Sequence, residues 1–256
     1  MSENCNQSYL TGELAWENNY PLRYYEMDSQ MILKPSSLLN FLQDMATLNA
    51  EMLGFGYSFT SERNLGWFLI KYHMEFDEYP ANLDEITIIT EARGASKLFA
   101  LRDFELWTVD KKKRLGRITS NWFILDLETK TIKPPLSFFS NMSAVEKRES
   151  DMSFAKFKLP EVFDFEHEFE IRYDDIDVNQ HVNNSNYIVW AFEALPADFR
   201  KNNILKELDI VYKKEVKFGN NVLSNVKIEN DTTYHSVVNK ETGEELCLLK
   251  AIWKAL

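Results

Sequence analysis

The chain has 256 residues, 45% hydrophobic and 27% charged, with 8 Gly and 7 Pro. This is the make-up of a globular protein with a substantial core, as one large domain or two ordinary ones, and it excludes fibrous or extensively disordered chains. The net charge of −11 argues against nucleic acid as a partner, because phosphate recognition wants a basic face.

In chain order, the opening MSENCNQSYL has neither the basic nor the apolar region of a secretory signal. No window reaches 18 apolar residues, so no membrane span is expected. The first helix is predicted from Ser36 or Ser37, with serine as N-cap, to about Leu53. Leu38, Leu42, Met45, Leu48 and Met52 recur at three- and four-residue spacing on one face, and Gly54 is a natural stop. Strands follow at Gly66 to Phe76, Glu85 to Arg93, Leu98 to Val109 and Gly116 to Asp126. The turn 110–114 joins the last two. The polar stretch 134–160 reads as a linker. A second helix is expected from about Asn184 to Leu195, ended by Pro196. Further strands are expected at Leu208 to Val216, Asn221 to Ile228, Thr233 to Asn239 and Glu245 to Trp253.

The two series are copies. Leu22-Arg23-Tyr24-Tyr25-Glu26-Met27-Asp28 aligns with Ile171-Arg172-Tyr173-Asp174-Asp175-Ile176-Asp177 at an offset of 149, with three of seven positions identical, and the register runs on into both helices. Each half is a strand, a helix and a run of antiparallel strands. One amphipathic helix wrapped by a curved sheet buries the apolar face of both, so an α+β fold of two such halves is expected. The division is 1–133, a linker 134–160, and 161–256.

The string Asp175-Ile176-Asp177-Val178-Asn179-Gln180-His181-Val182-Asn183-Asn184, with Tyr212-Lys213-Lys214-Glu215 further on, resembles the signature of the acyl-ACP thioesterases. The resemblance runs from about Tyr20 to Trp253. It implies a tandem (double) hotdog fold and hydrolysis of fatty acyl-ACP to free acid and acyl carrier protein. By the same resemblance, Asp177, Asn179, His181 and Glu215 are the catalytic set. Plant members usually carry cysteine after that glutamate. Val216 stands there in this chain, which favours attack by water over a covalent acyl-enzyme.

The residues can be read toward the same chemistry. In an extended segment, positions 177, 179 and 181 share one face. The N–H groups at the start of the second helix, around Asn183 and Asn184, could bind a developing oxyanion. Histidine titrates near neutrality and suits proton transfer. His181 or Glu215 could serve as the base. At the offset of 149, Asp28 answers Asp177, but Gln30 stands for Asn179 and Ile32 for His181. The first half is therefore expected to be inactive and free to hold the acyl tail. Met45, Leu48, Met52, Trp67 and Phe68 are its candidate pocket walls, with plain core as the competing reading.

Four dispersed histidines and two distant cysteines, Cys5 and Cys247, suggest no metal site, no disulfide and a reducing, cytoplasmic setting. No cofactor is expected. Lys111, Lys112, Lys113 and Arg114, with Lys213, Lys214 and Lys217, are either solvated hairpin tips or a docking patch for an acidic carrier protein. Homodimer formation stays open. Acyl-CoA hydrolysis and non-catalytic acyl binding remain as alternatives.

Overall fold

A computed structural model describes residues 8–10, 12, 14–178 and 180–256. Cys5 and the candidate Asn179 lie outside the described residues. The first half holds β1 (Ala15–Pro21), α1 (Pro35–Met52), the short α2 (Tyr57–Ser61), β2 (Leu65–Phe76), β3 (Glu85–Ser96), β4 (Phe99–Thr108), β5 (Arg114–Asp126) and β6 (Thr131–Lys133). The second holds β7 (Phe165–Glu170), α3 (Asn184–Glu193), α4 (Ala197–Asn202), β8 (Asn203–Tyr212), β9 (Asn221–Glu229), β10 (Thr232–Asn239) and β11 (Glu245–Ala255).

Among the described residues eleven strands form one sheet, ordered β1-β3-β4-β5-β2-β8-β11-β10-β9-β7, with β6 on β5. The order is two half-sheets of matching topology, joined edge to edge by antiparallel pairing of β2 with β8. Pairing these edges removes two exposed strand edges that would otherwise invite association. Helices α1 and α3 pack on one another. Leu38, Leu42 and Met45 from α1 share one apolar core with Tyr187, Ile188 and Ala191 from α3 and with the helix-facing residues of the seam strands. This is the tandem hotdog architecture.

The repeat holds in backbone detail. At the offset of 149, the 3₁₀ turns Tyr24–Glu26 and Tyr173–Asp175 correspond, as do the isolated bridges Met27↔Leu33 and Ile176↔Val182 and the first residues of α1 and α3. Met31 and Gln180, also equivalent, both adopt positive φ, at 59° and 64°. Such a conformation is uncommon for residues with a Cβ, so a shared one marks a shared turn.

Three expectations change. Helix α1 starts at Pro35, not at a serine, with Lys34 as N-cap and no side-chain cap bond. Proline fits the first helical position because its missing N–H would be unpaired there. The chain after Pro196 turns into α4 before entering β8 at Asn203, and β8 ends at Tyr212, so Glu215 lies in a loop beyond the strand. The stretch after β6 does not hang free. It runs beside β3, pairing with the strand's edge where Ala95 N–H donates to Ser143 O (3.0 Å) and reaching its outer face where Arg148 makes two hydrogen bonds to Glu91 (2.8 and 2.6 Å). Phe139 and Met142 pack with Phe55, Leu65 and Ile124 in a second apolar cluster. Covered on both faces, β3 is buried almost throughout.

Candidate active site

The segment 177–181 is a tight turn rather than an extended strand. Asp177 N–H donates to His181 O (2.8 Å), Gln180 N–H to Asp177 O (3.0 Å), and His181 N–H reaches Asp177 Oδ1 (3.4 Å). The first half builds the same turn. Asp28 N–H donates to Ile32 O (2.8 Å), and Asp28 Oδ1 accepts from the N–H groups of Gln30 (2.8 Å) and Ile32 (3.0 Å). An aspartate that bonds its own backbone a few residues on is a local turn-maker. Asp177 therefore shapes the turn, and the turn presents His181.

From that turn His181 Nε2 lies 3.1 Å from Glu215 Oε2. The contact is fixed by main chain one residue further along on each side, where Val182 N–H reaches Val216 O (3.4 Å). The Glu215 loop is itself held to β11 through Lys213 N–H and Leu246 O (2.8 Å). Glu215 is exposed, whereas the next side chain, Val216, is buried in the core. The carboxylate meets the histidine on a solvent-accessible side, and position 216 faces away into packing.

Asn183 is the N-cap of α3. Its Oδ1 accepts from Ser185 N–H (2.9 Å) and from Gln43 Nε2 of α1 (3.4 Å), so a residue of the first half reaches the border of the turn. The N–H groups of Asn183 and Asn186 are taken by Asp175 O and Asn183 O, at 2.9 Å each. Among the described residues no acceptor takes the Asn184 N–H, which opens α3 at the positive end of its dipole. The phenol of Tyr212 donates to Asn184 O (3.2 Å), tying the end of β8 to the same helix start. Neither Gln43 nor Tyr212 was singled out from sequence as a site residue. Gln43 is one of several polar residues on that side of α1, with Asn40, Asp44 and Thr47, and nothing local marks its partner 140 positions away.

The five candidate pocket residues do not gather at one place. Met45 is fully buried in the main core. Leu48 and Met52 stand 43% and 67% exposed on α1. Trp67 donates its Nε1–H to Phe55 O (2.8 Å) and stacks on Phe139, and Phe68 stacks on Phe123 at 5.4 Å. None of them lines the open groove bordered by Leu98, Phe99, Leu101 and Val145 at the β3–β4 hairpin.

Six of the seven basic residues expected to greet an acidic partner, all but Lys217, are engaged at home. Lys111 pairs with Glu17 (2.6 Å), Lys112 with Asp110 (3.1 Å), Lys113 with Glu78 and Arg114 with Asp77 (2.8 Å). Lys213 pairs with Glu245 (2.6 Å) and Lys214 with Glu244.

Two other histidines are buried on partners that sequence did not connect. His235 Nδ1 lies 3.0 Å from Ala191 O and Nε2 2.8 Å from Thr233 Oγ1. Since the carbonyl can only accept, Nδ1 carries the proton. Burial pushes this imidazole down to a pKa of about 3. His73 sits on β2 against Asp209 of β8. Burial alone would lower its pKa, but hydrogen bonds to Asp209 and Glu75 outweigh that and raise it to about 9.

The fold and the turn-borne histidine–carboxylate pair define a tandem hotdog protein with a polar site on its second half. Residues 13–135 match the family profile of the acyl-ACP thioesterase N-terminal domain, and residues 160–255 that of the acyl-ACP thioesterase C-terminal domain. The chain belongs to the acyl-ACP thioesterase family. It is 28% identical over 253 residues to the chloroplastic palmitoyl-acyl carrier protein thioesterase of Gossypium hirsutum, covering 91% of this chain and 59% of that one. It is 25% identical over 256 residues to the chloroplastic oleoyl-acyl carrier protein thioesterase 2 of Arabidopsis thaliana, covering 90% of this chain and 66% of that one. The chain thus spans about three fifths to two thirds of the length of these relatives. The crystal structure of an acyl-ACP thioesterase from Bacteroides thetaiotaomicron shares the fold, with a TM-score of 0.83, 21% identity and coverage of 94% of this chain and 98% of that one. Among the described residues no helix is long and apolar enough to cross a membrane.

Proposed function

We propose that this chain hydrolyses fatty acyl thioesters carried on acyl carrier protein, using one active centre in its second half. The observation that carries the reading is the pairing of His181 with Glu215 at 3.1 Å, in a family whose curated relatives are named acyl-carrier-protein thioesterases. The pair takes a proton from water as the water oxygen attacks the thioester carbonyl carbon. The carbonyl oxygen becomes an oxyanion, for which the Asn184 N–H at the start of α3 is the candidate donor. Collapse breaks the C–S bond, the proton passes to the departing thiolate, and free acid and carrier thiol leave. Asp177 holds the turn, and Asn179 completes the set by family resemblance. Val216 supplies no nucleophile, so no acyl-enzyme forms.

The first half, with Ile32 where His181 stands in the second, serves as the acyl-chain half. A cytoplasmic, reducing setting is part of the proposal, supported by Cys247 being a free and fully buried thiol. Acyl-CoA is the second reading of the carrier.

The test is thiol release from acyl-ACP and acyl-CoA of matched chain length, by wild type, His181→Ala and Glu215→Ala. Faster release from acyl-ACP, lost in both variants, is expected. Release from acyl-CoA alone overturns the carrier assignment, and undiminished release by both variants overturns the site.

A further inference from the structure

Strands β2 and β8, which join the two halves, pair His73 with Asp209 and Glu75 with Glu207. Their neighbours Tyr72, Met74, Leu208 and Ile210 enter the core beneath the helices. By strand alternation, His73, Glu75, Glu207 and Asp209 therefore stand together on the opposite face. Glu75 and Glu207 are directly opposite each other, with Asp209 two positions along. Like charges at cross-strand positions repel, so three carboxylates here need cations.

Glu75 has its own, Arg117, with Nη2 3.0 Å from Oε2. His73 offers Nδ1 to Asp209 Oδ1 (2.8 Å) and Nε2 to Glu75 Oε1 (3.3 Å). Glu207 has no ion pair among the described residues. The other oxygen of Asp209, Oδ2, is buried without a hydrogen-bond partner, on a side chain only 4% exposed. Lys71 on β2 turns its Nζ onto the Phe154 ring at 4.2 Å, and Lys250 of β11 stands opposite Asp209 without an ion pair to it among the described residues. A buried carboxylate oxygen left unpaired is destabilising, and in natural structures such an atom calls for an explanation.

We propose that His73, Glu207 and Asp209 form a binding site for a divalent transition-metal ion of the zinc type at the seam between the halves. One donor atom from each lies within 4.8 Å of the others. Tetrahedral ligation at about 2.0–2.2 Å needs donors about 3.3 Å apart. Glu207 is only partly buried and can close that gap by side-chain rotation. One imidazole and two carboxylates form a three-ligand set with room for a water in the fourth position. With His73 on β2 and both carboxylates on β8, the ion clamps the two halves together. Its role is structural and independent of the hydrolytic reading.

The experiment is calorimetric titration of the full chain, stripped with chelator, with zinc chloride alone. One equivalent binding below about 10 μM, with a matching rise in melting temperature, is expected. Glu207→Gln and Asp209→Asn should each weaken binding at least about tenfold. Glu215→Gln, at the other histidine–carboxylate pair, should leave it unchanged. Asp209→Asn alters a buried group and is judged only if its far-ultraviolet circular dichroism matches wild type. Glu207→Gln, at a partly exposed position, carries the test in any case. A cobalt(II) spectrum with nitrogen and oxygen ligands, lost in Glu207→Gln, is the second readout. Absence of stoichiometric binding overturns the proposal, as does binding untouched by Glu207→Gln or abolished only by Glu215→Gln.

Discussion

His181 Nε2 and Glu215 Oε2 meet at 3.1 Å although 33 residues separate them, because Val182 and Val216, the residues next to each, are joined main chain to main chain. If the pair activates water as a unit, removing either member loses most of the effect. His181→Ala and Glu215→Gln should each lower kcat by about 10²–10⁴, and the double variant should fall little further. Steady-state kinetics on acyl-ACP decides this; full additivity of the two losses would show that they act separately.

The aspartate turn in the first half has the same geometry without the histidine. Asp28→Ala removes the acceptor for two backbone N–H groups and should lower stability by about 1–2 kcal/mol while kcat stays within twofold. The matching Asp177→Ala should lose both stability and turnover, because its turn carries His181. Thermal melts and kinetics on the two variants make the comparison. Equal losses of turnover would mean that the first-half turn also serves the reaction.

Position 216 packs into the core, while Glu215 faces solvent. Val216→Cys should therefore give no covalent acyl-enzyme on mixing with acyl-ACP. Intact-mass spectrometry after rapid acid quench reads this directly, and a mass increase equal to the acyl group in this variant alone would refute water attack as the sole route.

Gly94 adopts φ +103°, and a Cβ there would stand 2.4 Å from Ser143 O, where the segment after β6 crosses β3. Gly94→Ala must shift that segment or strain the backbone. A loss of about 1–3 kcal/mol is expected, with faster protease cleavage between residues 138 and 152 than in wild type. An unchanged cleavage rate would mean that the segment is held elsewhere.

His235 is buried neutral, its pKa pushed by burial from the ordinary 6.5 down to about 3. Below pH 6.5 the unfolded chain binds a proton that the folded protein refuses. This contribution to stability is therefore present above pH 6.5 and lost progressively as pH falls toward 3, with a slope on the order of 1.4 kcal/mol per pH unit. His235→Gln should remove that one-proton slope from denaturant-derived stabilities between pH 6 and 4. A histidine NMR signal assigned to His235 that titrates near pH 6.5 would contradict the burial argument.

Sequence alone settled whatever rests on local chemistry. Residue spacing placed α1, α3 and seven of the eleven strands to within about three residues, whereas β8 lies about five residues earlier than expected and β1, β6 and β7 were given no range. The offset of 149 carried from the motif strings through the 3₁₀ turns to the positive-φ pair Met31 and Gln180. It also showed that Ile32 stands where His181 should be, so the asymmetry of the two halves was legible before any coordinates. These features follow from which side chains alternate and which residues make turns, and that information lies within a dozen residues.

What only the tertiary structure decided depends on groups far apart in the chain. Glu215 was expected at the end of a strand. It sits in a loop past Tyr212, and its meeting with His181 is set by the 182–216 main-chain contact. Sequence left the basic runs as either solvated hairpin tips or a docking patch, and only folding showed Glu17, Glu78, Glu244 and Glu245 beside them. His73 had no visible partner, although the alternation Lys71-x-His73-x-Glu75 on an otherwise apolar strand was a signal. Its environment exists only because β2 and β8 pair in the one register that puts Asp209 across from it. Side-chain period belongs to the strand itself, but register between strands 130 residues apart is fixed by the closing of the whole sheet, and no local pattern encodes it.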